Sequence, residues 1–213
     1  MITRHIATCI EELKNGYPVI VFTGPRQSGK TTLAKHCFKE KPYVSLENPM
    51  ERKYFQDDPK GFLSRFPDGA ILDEVQRCPE LPSYLQEIVD HDGRMGLFIL
   101  TGSQNFGLIE QISQSLAGRA GLLELLPFSH DELAPNGLAP KTIDEAIFKG
   151  GYPPVHTRTV SPSRWYGDYV TTYLERDVRK TLNIRNLSAF TTLIELCAAQ
   201  VGQQINTQEW SGI

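Results

Sequence analysis

The sequence has no long hydrophobic run and no excess of basic residues. Its 213 residues include 22 lysines and arginines against 25 aspartates and glutamates, for a formal net charge of −3. A general polyanion-binding protein needs a strongly basic surface, so this balance argues against that class while leaving room for a local basic patch. No segment approaches the roughly 18 consecutive apolar residues of a membrane span, and no signal-peptide apolar stretch follows the N-terminus. We therefore expect no membrane partner.

Cysteine is also scarce. The four cysteines, Cys9, Cys37, Cys78 and Cys197, lie far apart and form no Cys-x-x-Cys pair. A disulfide framework or a zinc ribbon is therefore disfavoured, and reduced thiols in a cytosol fit the pattern better. The five histidines show no metal-ligand spacing either. We expect a globular, cytoplasmic protein with no metal site built from cysteine or histidine.

Short apolar segments alternate with helical patterns over the first 126 residues. The segments that predict buried strands are 19–22, 43–46, 70–73, 97–101 and 122–126. The helical patterns lie at about 2–15, 30–39, 81–91 and 105–117, and 50–66 is predicted to be helical in part. Short apolar strands that alternate with helices predict an α/β fold with a five-stranded parallel sheet covered on both faces.

After about residue 127 only helical signals follow. Ser129 and Glu132 have the spacing of a capping box, and so do Thr142 and Glu145. Long helices are predicted over about 162–181 and 187–203. We therefore divide the chain into a core, residues 1–130, and an all-helical part, residues 131–213.

Residues 24–31, Gly-Pro-Arg-Gln-Ser-Gly-Lys-Thr, match the G-x-x-x-x-G-K-[ST] phosphate loop (Walker A) at every position. Glycines let successive N–H groups converge on a phosphate, and the next helix points its positive end at the same anion. Lys30 is predicted to reach the β- and γ-phosphates of ATP, and the Thr31 hydroxyl to bind Mg²⁺. A chance match is the alternative, but a buried strand before the loop and a helix after it are the context that the motif requires. The predicted nucleotide-binding residues are Gly24, Pro25, Arg26, Gln27, Ser28, Gly29, Lys30, Thr31 and Thr32.

A second apolar strand ends in two carboxylates, Asp73 and Glu74. Asp73 is predicted to hold the Mg²⁺ shell together with Thr31. Glu74 is predicted to polarise a water molecule for attack on the γ-phosphate. Acidic residues at strand ends are common surface features, so this pair (Walker B) is informative only in combination with the phosphate loop. Lys30 and Glu74 are thus the first two catalytic candidates.

Two further catalytic candidates have alternatives that the sequence leaves open. Ser103 follows the fourth strand and can orient the attacking water, with Gln104 as the next choice; the alternative is a simple turn. Arg119 lies between a helix and the fifth strand. It can act as an arginine finger on the nucleotide of a neighbouring subunit, which implies a homo-oligomer. The alternative is a solvated arginine that the helix dipole favours.

In order along the chain, five motifs resemble the prokaryotic AAA-type ATPases that carry a C-terminal domain of unknown function. They are Gly-Pro-Arg-Gln-Ser-Gly-Lys-Thr at 24–31, Leu-Asp-Glu-Val-Gln at 72–76, Leu-Thr-Gly-Ser at 100–103, Leu-Ala-Gly-Arg at 116–119 and Gly-Gly-Tyr-Pro at 150–153. The resemblance covers essentially the whole chain and implies an AAA+ core of the P-loop NTPase (ASCE) type with a helical lid. It carries the family's loop, acidic-strand and sensor positions onto Gly29, Lys30, Thr31, Asp73, Glu74 and Ser103.

The same resemblance implies more. Arg119 matches the family's Gly-Arg position, and nucleic acid is a possible partner on this ground alone. Family members are usually longer, so the chain resembles one that ends after the lid, with 187–203 opening a helix-turn-helix.

The basic residues Arg176, Arg179, Lys180 and Arg185 are interpreted as a solvated helix end rather than a phosphate or DNA contact.

The leading hypothesis is an ATP-binding, Mg²⁺-dependent AAA+ ATPase that couples hydrolysis to a conformational change on an unidentified target. The alternative is an ATP-dependent switch or scaffold with negligible turnover. A small-molecule kinase is less favoured, because Glu74 directly after Asp73 suits the activation of water. A GTPase is disfavoured, because no Asn-Lys-x-Asp guanine motif occurs in the chain.

Overall fold

The computed structural model describes residues 2–103, 106–173 and 187–204. The chain divides into two compact units, Met1–Arg158 and Thr159–Ile213. The first unit carries the sheet, and residues 131–158, which sequence patterns group with the helical part, belong to the same unit. Within the described ranges, no helix combines the length and the apolar character needed to cross a membrane.

A five-stranded sheet forms the centre of the first unit. Its strands are β1 (Val19–Thr23), β2 (Tyr43–Ser45), β3 (Ile71–Asp73), β4 (Phe98–Thr101) and β5 (Ala120–Glu124). They follow the order β2-β3-β4-β1-β5, and every pairing is parallel. The predicted five-stranded parallel sheet is therefore confirmed. Because the strands run the same way, their carboxyl ends meet at one edge of the sheet.

The helices that surround the sheet are α1 (Ala7–Gly16), α2 (Lys30–Cys37), α3 (Pro49–Asp57), α4 (Pro59–Ser64), α5 (Leu81–Asp92) and α6 (Phe106–Ser115). Segment 50–66 forms α3 and α4, and each begins with proline after a capping side chain. Asn48 accepts a hydrogen bond from the amide of Met50, and Asp58 accepts one from Gly61. Such caps satisfy amide groups that have no partner inside the helix.

Alternate residues of the central strands face two separate hydrophobic clusters. Val21 and Leu100 pack on the side of α3, α4 and α5, whereas Ile20 and Ile99 pack on the side of α1 and α2. All residues of β1, β3 and β4 are buried. Continuous apolar strands are typical of a parallel sheet with helices on both faces. The core thus holds the strand ends, and the loops that follow them, in a rigid frame.

The fifth strand lies two residues before its predicted position of 122–126. Ala120 and Gly121 pair with β1, although their small side chains give no strand signal. Leu126, in contrast, lies beyond the strand and is 58% exposed. The apolar run alone therefore placed the strand wrongly, because β5 is an edge strand whose residues alternate between buried and exposed.

Short helices follow β5 in the first unit: α7 (His130–Leu133), α8 (Ile143–Lys149) and α9 (Pro153–Thr157). The capping box of α7 is present as predicted, with Ser129 and Glu132 bonded to each other's amide groups. At α8 the Thr142 hydroxyl caps the helix, but the Glu145 carboxylate accepts from the amide of Lys141. The second predicted box is therefore only half formed.

The second unit contains α10 (Pro162–Tyr173) and α11 (Leu187–Ala199). Trp165 stacks on Tyr169, with ring centroids 5.0 Å apart, and meets Tyr166 edge to face. The predicted continuation of the long helix to residue 181, the basic residues at 176–185 and the start of a helix-turn-helix after residue 204 lie outside the described residues.

Candidate functional site

The loop between β1 and α2 holds a left-handed backbone at three positions. Gly24 has a φ of 132°, Gly29 of 99° and Gln27 of 61°. A β-carbon at Gly24 would collide with the main-chain carbonyl of Leu125, so only glycine allows the loop to lie this close to the end of β5. The helix begins at Lys30, as predicted. The packing of the sheet therefore fixes where the loop starts and how it curls.

Buried polar atoms without a partner gather at the carboxyl edge of the sheet. Within the described part of the chain these atoms are Oγ of Ser28, Oγ of Ser103 and Oε1 of Gln76. They follow three neighbouring strands, β1, β4 and β3. An unsatisfied buried polar group costs about 1–3 kcal/mol, so such a group needs an explanation. A polar ligand at this edge would provide the missing hydrogen bonds.

The Lys30 side chain lies inside the loop and is only 7% exposed. Its Nζ donates to the main-chain oxygens of Gly24, at 3.0 Å, and Pro25, at 2.7 Å. Burial lowers the pKa of Lys30 to about 8, and the nearby carboxylates of Glu74 and Asp73 partly oppose this decrease. The ammonium group is thus held inside the loop by two main-chain carbonyls.

Asp73 accepts hydrogen bonds from three side chains and one amide. The Thr31 hydroxyl lies 3.2 and 3.1 Å from its two carboxylate oxygens. The Tyr43 hydroxyl donates to Oδ2 at 2.8 Å, and Thr101 donates to Oδ1 together with the amide of Glu74. The structure therefore brings together both predicted metal ligands, Thr31 and Asp73. Their hard oxygen atoms are of the type that Mg²⁺ prefers.

Two of these donors were missed by sequence reasoning as partners of Asp73. A sequence signal existed for Thr101, because its hydroxyl interrupts the apolar run of β4. Tyr43 had none, because it stands at the start of a strand where an aromatic residue is common. Burial and the hydrogen bond to Asp73 raise the pKa of Tyr43 to about 12. Its hydroxyl is consequently protonated at neutral pH and acts as a donor.

Glu74 adopts a left-handed conformation, with φ 60° and ψ 42°. Among the described residues, Gln27 and Glu74 are the non-glycine residues with positive φ, and both lie at this edge of the sheet. Such a conformation costs about 1–3 kcal/mol and is concentrated at functional sites. The Glu74 carboxylate accepts a hydrogen bond from the side-chain amide of Gln76.

Five of the other predicted nucleotide-binding residues reach the surface of the chain. Pro25, Arg26 and Gly29 are partly exposed, whereas Gln27 and Thr32 are exposed. Ser28 is fully buried. The roles of these residues in nucleotide binding stay predictions that follow from their place in the loop.

Ser103 and Arg119 lie at opposite ends of the sheet. Ser103 follows the carboxyl end of β4, which lies between the loop strand β1 and the acidic strand β3; its role in orienting water stays a prediction. Arg119 precedes β5, whose five residues separate it from the loop end of the sheet by about 16 Å. Arg119 forms an ion pair with Asp90 and donates to the carbonyl of Ala117. It therefore cannot serve the site of its own chain, and its role toward a neighbouring subunit stays a prediction. Gln104 lies outside the described residues.

Arg4 connects the loop to the segment after β5, a contact that no sequence signal indicated. It is 7% exposed and donates to the carbonyl of Ser28 at 3.1 Å, the carbonyl of Leu126 at 2.5 Å and the carboxylate of Glu132 at 3.1 Å. Its guanidinium also lies 4.7 Å from the ring centre of Phe128. The first predicted helix, 2–15, begins only at Ala7, because residues 2–4 have no regular structure and His5 and Ile6 form a turn.

The Arg4 cluster predicts a specific acid sensitivity. Burial alone would raise the pKa of Glu132, but the amides of His5 and Ser129 and the charge of Arg4 together lower it below the ordinary 4.5. Below pH 4.5 the unfolded chain therefore binds more protons than the folded chain does. The contribution of Glu132 to the free energy of unfolding is complete above pH 4.5 and is lost as the pH falls further. Between about pH 5 and about pH 3, we expect urea unfolding of wild type to lose stability more steeply than unfolding of Glu132→Gln. Parallel curves for the two proteins would contradict this expectation.

Two family models and two relatives match the sequence. Residues 16–134 match the AAA domain family, and residues 140–212 match a domain of unknown function (DUF8612). The chain is 35% identical over 179 residues to the uncharacterized proteins Rv2008c of Mycobacterium tuberculosis and Mb2031c of Mycobacterium bovis. These alignments cover 82% of this chain and 39% of each relative, so the chain spans about two fifths of their length.

A solved structure has a similar fold. It is a Walker-type ATPase of Pyrococcus abyssi, with a TM-score of 0.54 and 16% sequence identity. The alignment covers 97% of this chain and 86% of that chain. At this identity the similarity concerns the fold alone, and it identifies the sheet and its loop as the P-loop type.

Proposed function

Because the chain belongs to the AAA domain family of ATPases, as its motifs predicted, we propose that it binds ATP and hydrolyses it with Mg²⁺. The cleaved bond joins the γ-phosphate to ADP, with water as the acceptor. Hydrolysis is proposed to drive a conformational change on a separate target.

One observation carries the proposal. Four side chains meet at the carboxyl ends of β1 and β3, namely those of Lys30, Thr31, Asp73 and Glu74. Strand β4 lies between these two strands. This arrangement combines an anion cradle, a pair of hard oxygen ligands and a separate carboxylate. Each of these parts has a different task in phosphoryl transfer.

The donor set fits Mg²⁺, because a hydroxyl and a carboxylate lie together and unpartnered polar atoms follow the same and neighbouring strands. Thr31 and Asp73 would hold the ion. When bound, Mg²⁺ neutralises negative charge on phosphate oxygens. No geometry beyond this ligand pair is needed for the proposal.

Each residue of the site has its own role in the proposed hydrolysis. The amides of 24–30 and the Lys30 ammonium bind and orient the phosphates. Glu74 accepts a proton from the attacking water, and Ser103 orients that water by a hydrogen bond. The products are ADP and inorganic phosphate. Because Arg4 joins the loop to Glu132 at the start of α7, movement of the loop is proposed to reach the residues after β5 by this route.

A second candidate is a switch that binds ATP with negligible turnover. The hydrogen bond from Gln76 to the Glu74 carboxylate favours it, because it occupies a carboxylate oxygen that would otherwise bind the attacking water. In this reading, hydrolysis requires a partner that separates the two side chains.

Binding and phosphate release, measured on the purified chain, separate these functions. We expect a fluorescent ATP analogue to bind and inorganic phosphate to appear with Mg²⁺, but not with EDTA in excess of the metal. Binding without phosphate release would favour the switch. A chain that binds no nucleotide under either condition would contradict both functions.

A further inference from the structure

Tyr43 lies outside the phosphate loop and the acidic strand, yet its side chain reaches Asp73. It is the first residue of β2, an edge strand in which Ser45 stands beside Asp73. Because residues two apart in a strand share a face, Tyr43 lies on the same face as Ser45, two positions before the strand end. The side chain of Tyr43 is long enough to reach the end of the strand, where its hydroxyl lies 2.8 Å from Oδ2 of Asp73.

The ring of Tyr43 is also held by the helix that starts in the phosphate loop. Nζ of Lys35, in α2, lies 3.3 Å from the centre of the Tyr43 ring. Tyr43 is therefore held from α2 while it donates to Asp73 in β3. With the ring and the hydroxyl both in contact, the hydroxyl has a defined direction.

The Tyr43 hydroxyl is one of three donors that set how the Asp73 carboxylate is turned. Oδ1 accepts from Thr101 and from the amide of Glu74, and Oδ2 accepts from Tyr43. These donors fix the rotation of the carboxylate about the Cβ–Cγ bond of Asp73. The remaining acceptor positions then face Thr31, which lies close to both oxygens.

We propose that Tyr43 is a positioning residue for the metal site, whose hydroxyl holds the Asp73 carboxylate in the orientation that suits a divalent cation at Thr31. This inference rests on the proposed function and adds a residue to it. Hydrogen-bond partners of metal ligands typically change metal affinity or activity by about 10–100-fold when removed. In this role Tyr43 acts through Asp73 and not on the reacting groups themselves.

The Tyr43→Phe variant tests this role, because it removes one oxygen and keeps the ring, the Lys35 contact and the strand register. Binding of a fluorescent ATP analogue is measured in EDTA and then at rising Mg²⁺ concentration. We expect Tyr43→Phe to need about tenfold more Mg²⁺ for half of the metal-dependent change. Its affinity in EDTA and its melting temperature should match those of wild type, which a purely structural role would not predict.

The matched control is Tyr84→Phe, because Tyr84 packs against Phe55 in the core cluster on one face of the sheet. It should give the wild-type Mg²⁺ curve. The inference is wrong if the curve of Tyr43→Phe coincides with that of wild type, or if its affinity falls equally in EDTA. A wild-type chain that binds no nucleotide would instead overturn the proposed function, and the inference with it.

Discussion

Replacing Glu74 by glutamine is expected to reduce phosphate release by at least about 100-fold, the lower range for loss of a general base. Glutamine has the shape of glutamate and can still accept the hydrogen bond from Gln76, so the turn at this position is retained. Lys30 and the loop amides are unchanged. ATP affinity should therefore stay within about twofold of wild type, and the measurement is phosphate release with ATP in excess.

The matched control for this variant is Glu124→Gln. Glu124 is also a carboxylate at the carboxyl end of a strand, but it is exposed on the edge strand β5. It should hydrolyse ATP at the wild-type rate. If Glu74→Gln releases phosphate as fast as wild type, Glu74 is not the proton acceptor, and the mechanism proposed for water attack is wrong.

The second large effect concerns stability and arises at Arg4. Replacing Arg4 by methionine leaves the Glu132 carboxylate buried without its cation and leaves the carbonyls of Ser28 and Leu126 without a donor. Breaking a buried ion pair by removing one partner costs about 3–5 kcal/mol. In a chain of this size that loss corresponds to roughly 10 °C in melting temperature, which thermal unfolding followed by circular dichroism measures.

An exposed ion pair serves as the comparison. Lys60 and Glu87 lie 3.0 Å apart with side chains 73% and 66% exposed, and exposed pairs contribute about 0–1 kcal/mol. Lys60→Met should therefore melt within about 2 °C of wild type. Equal melting temperatures for Arg4→Met and Lys60→Met would show that Arg4 does not hold this region together.

Much of the site could be predicted because its parts are contiguous in sequence. The loop at 24–31 and the pair Asp73 and Glu74 are short motifs in which each residue type is required by local chemistry. Their context is local as well, since a buried strand precedes each motif and a helix follows the loop. The alternation of apolar strands and helices then requires a parallel sheet, which brings the two motifs to one edge.

The contacts that were missed join residues far apart in the chain. Arg4 meets Glu132, and Tyr43 meets Asp73, at separations of 128 and 30 residues. No periodicity or motif encodes such a pair, because each residue alone is ordinary for its position. The half-formed capping box at Thr142 and the early start of β5 have a related cause. Where the local sequence signal is weak, hydrogen bonds with neighbouring residues decide the structure.

By itself the sequence determined the phosphate loop, the acidic strand end and the parallel sheet, because local backbone freedom and the burial of apolar residues leave few other arrangements for these segments. Only the tertiary structure decided that β4 lies between the two motif strands, that Arg119 pairs with Asp90, and that Tyr43 donates a hydrogen bond to Asp73. Strand order and long-range hydrogen bonds depend on how the whole core packs, and that packing is a property of all its residues together.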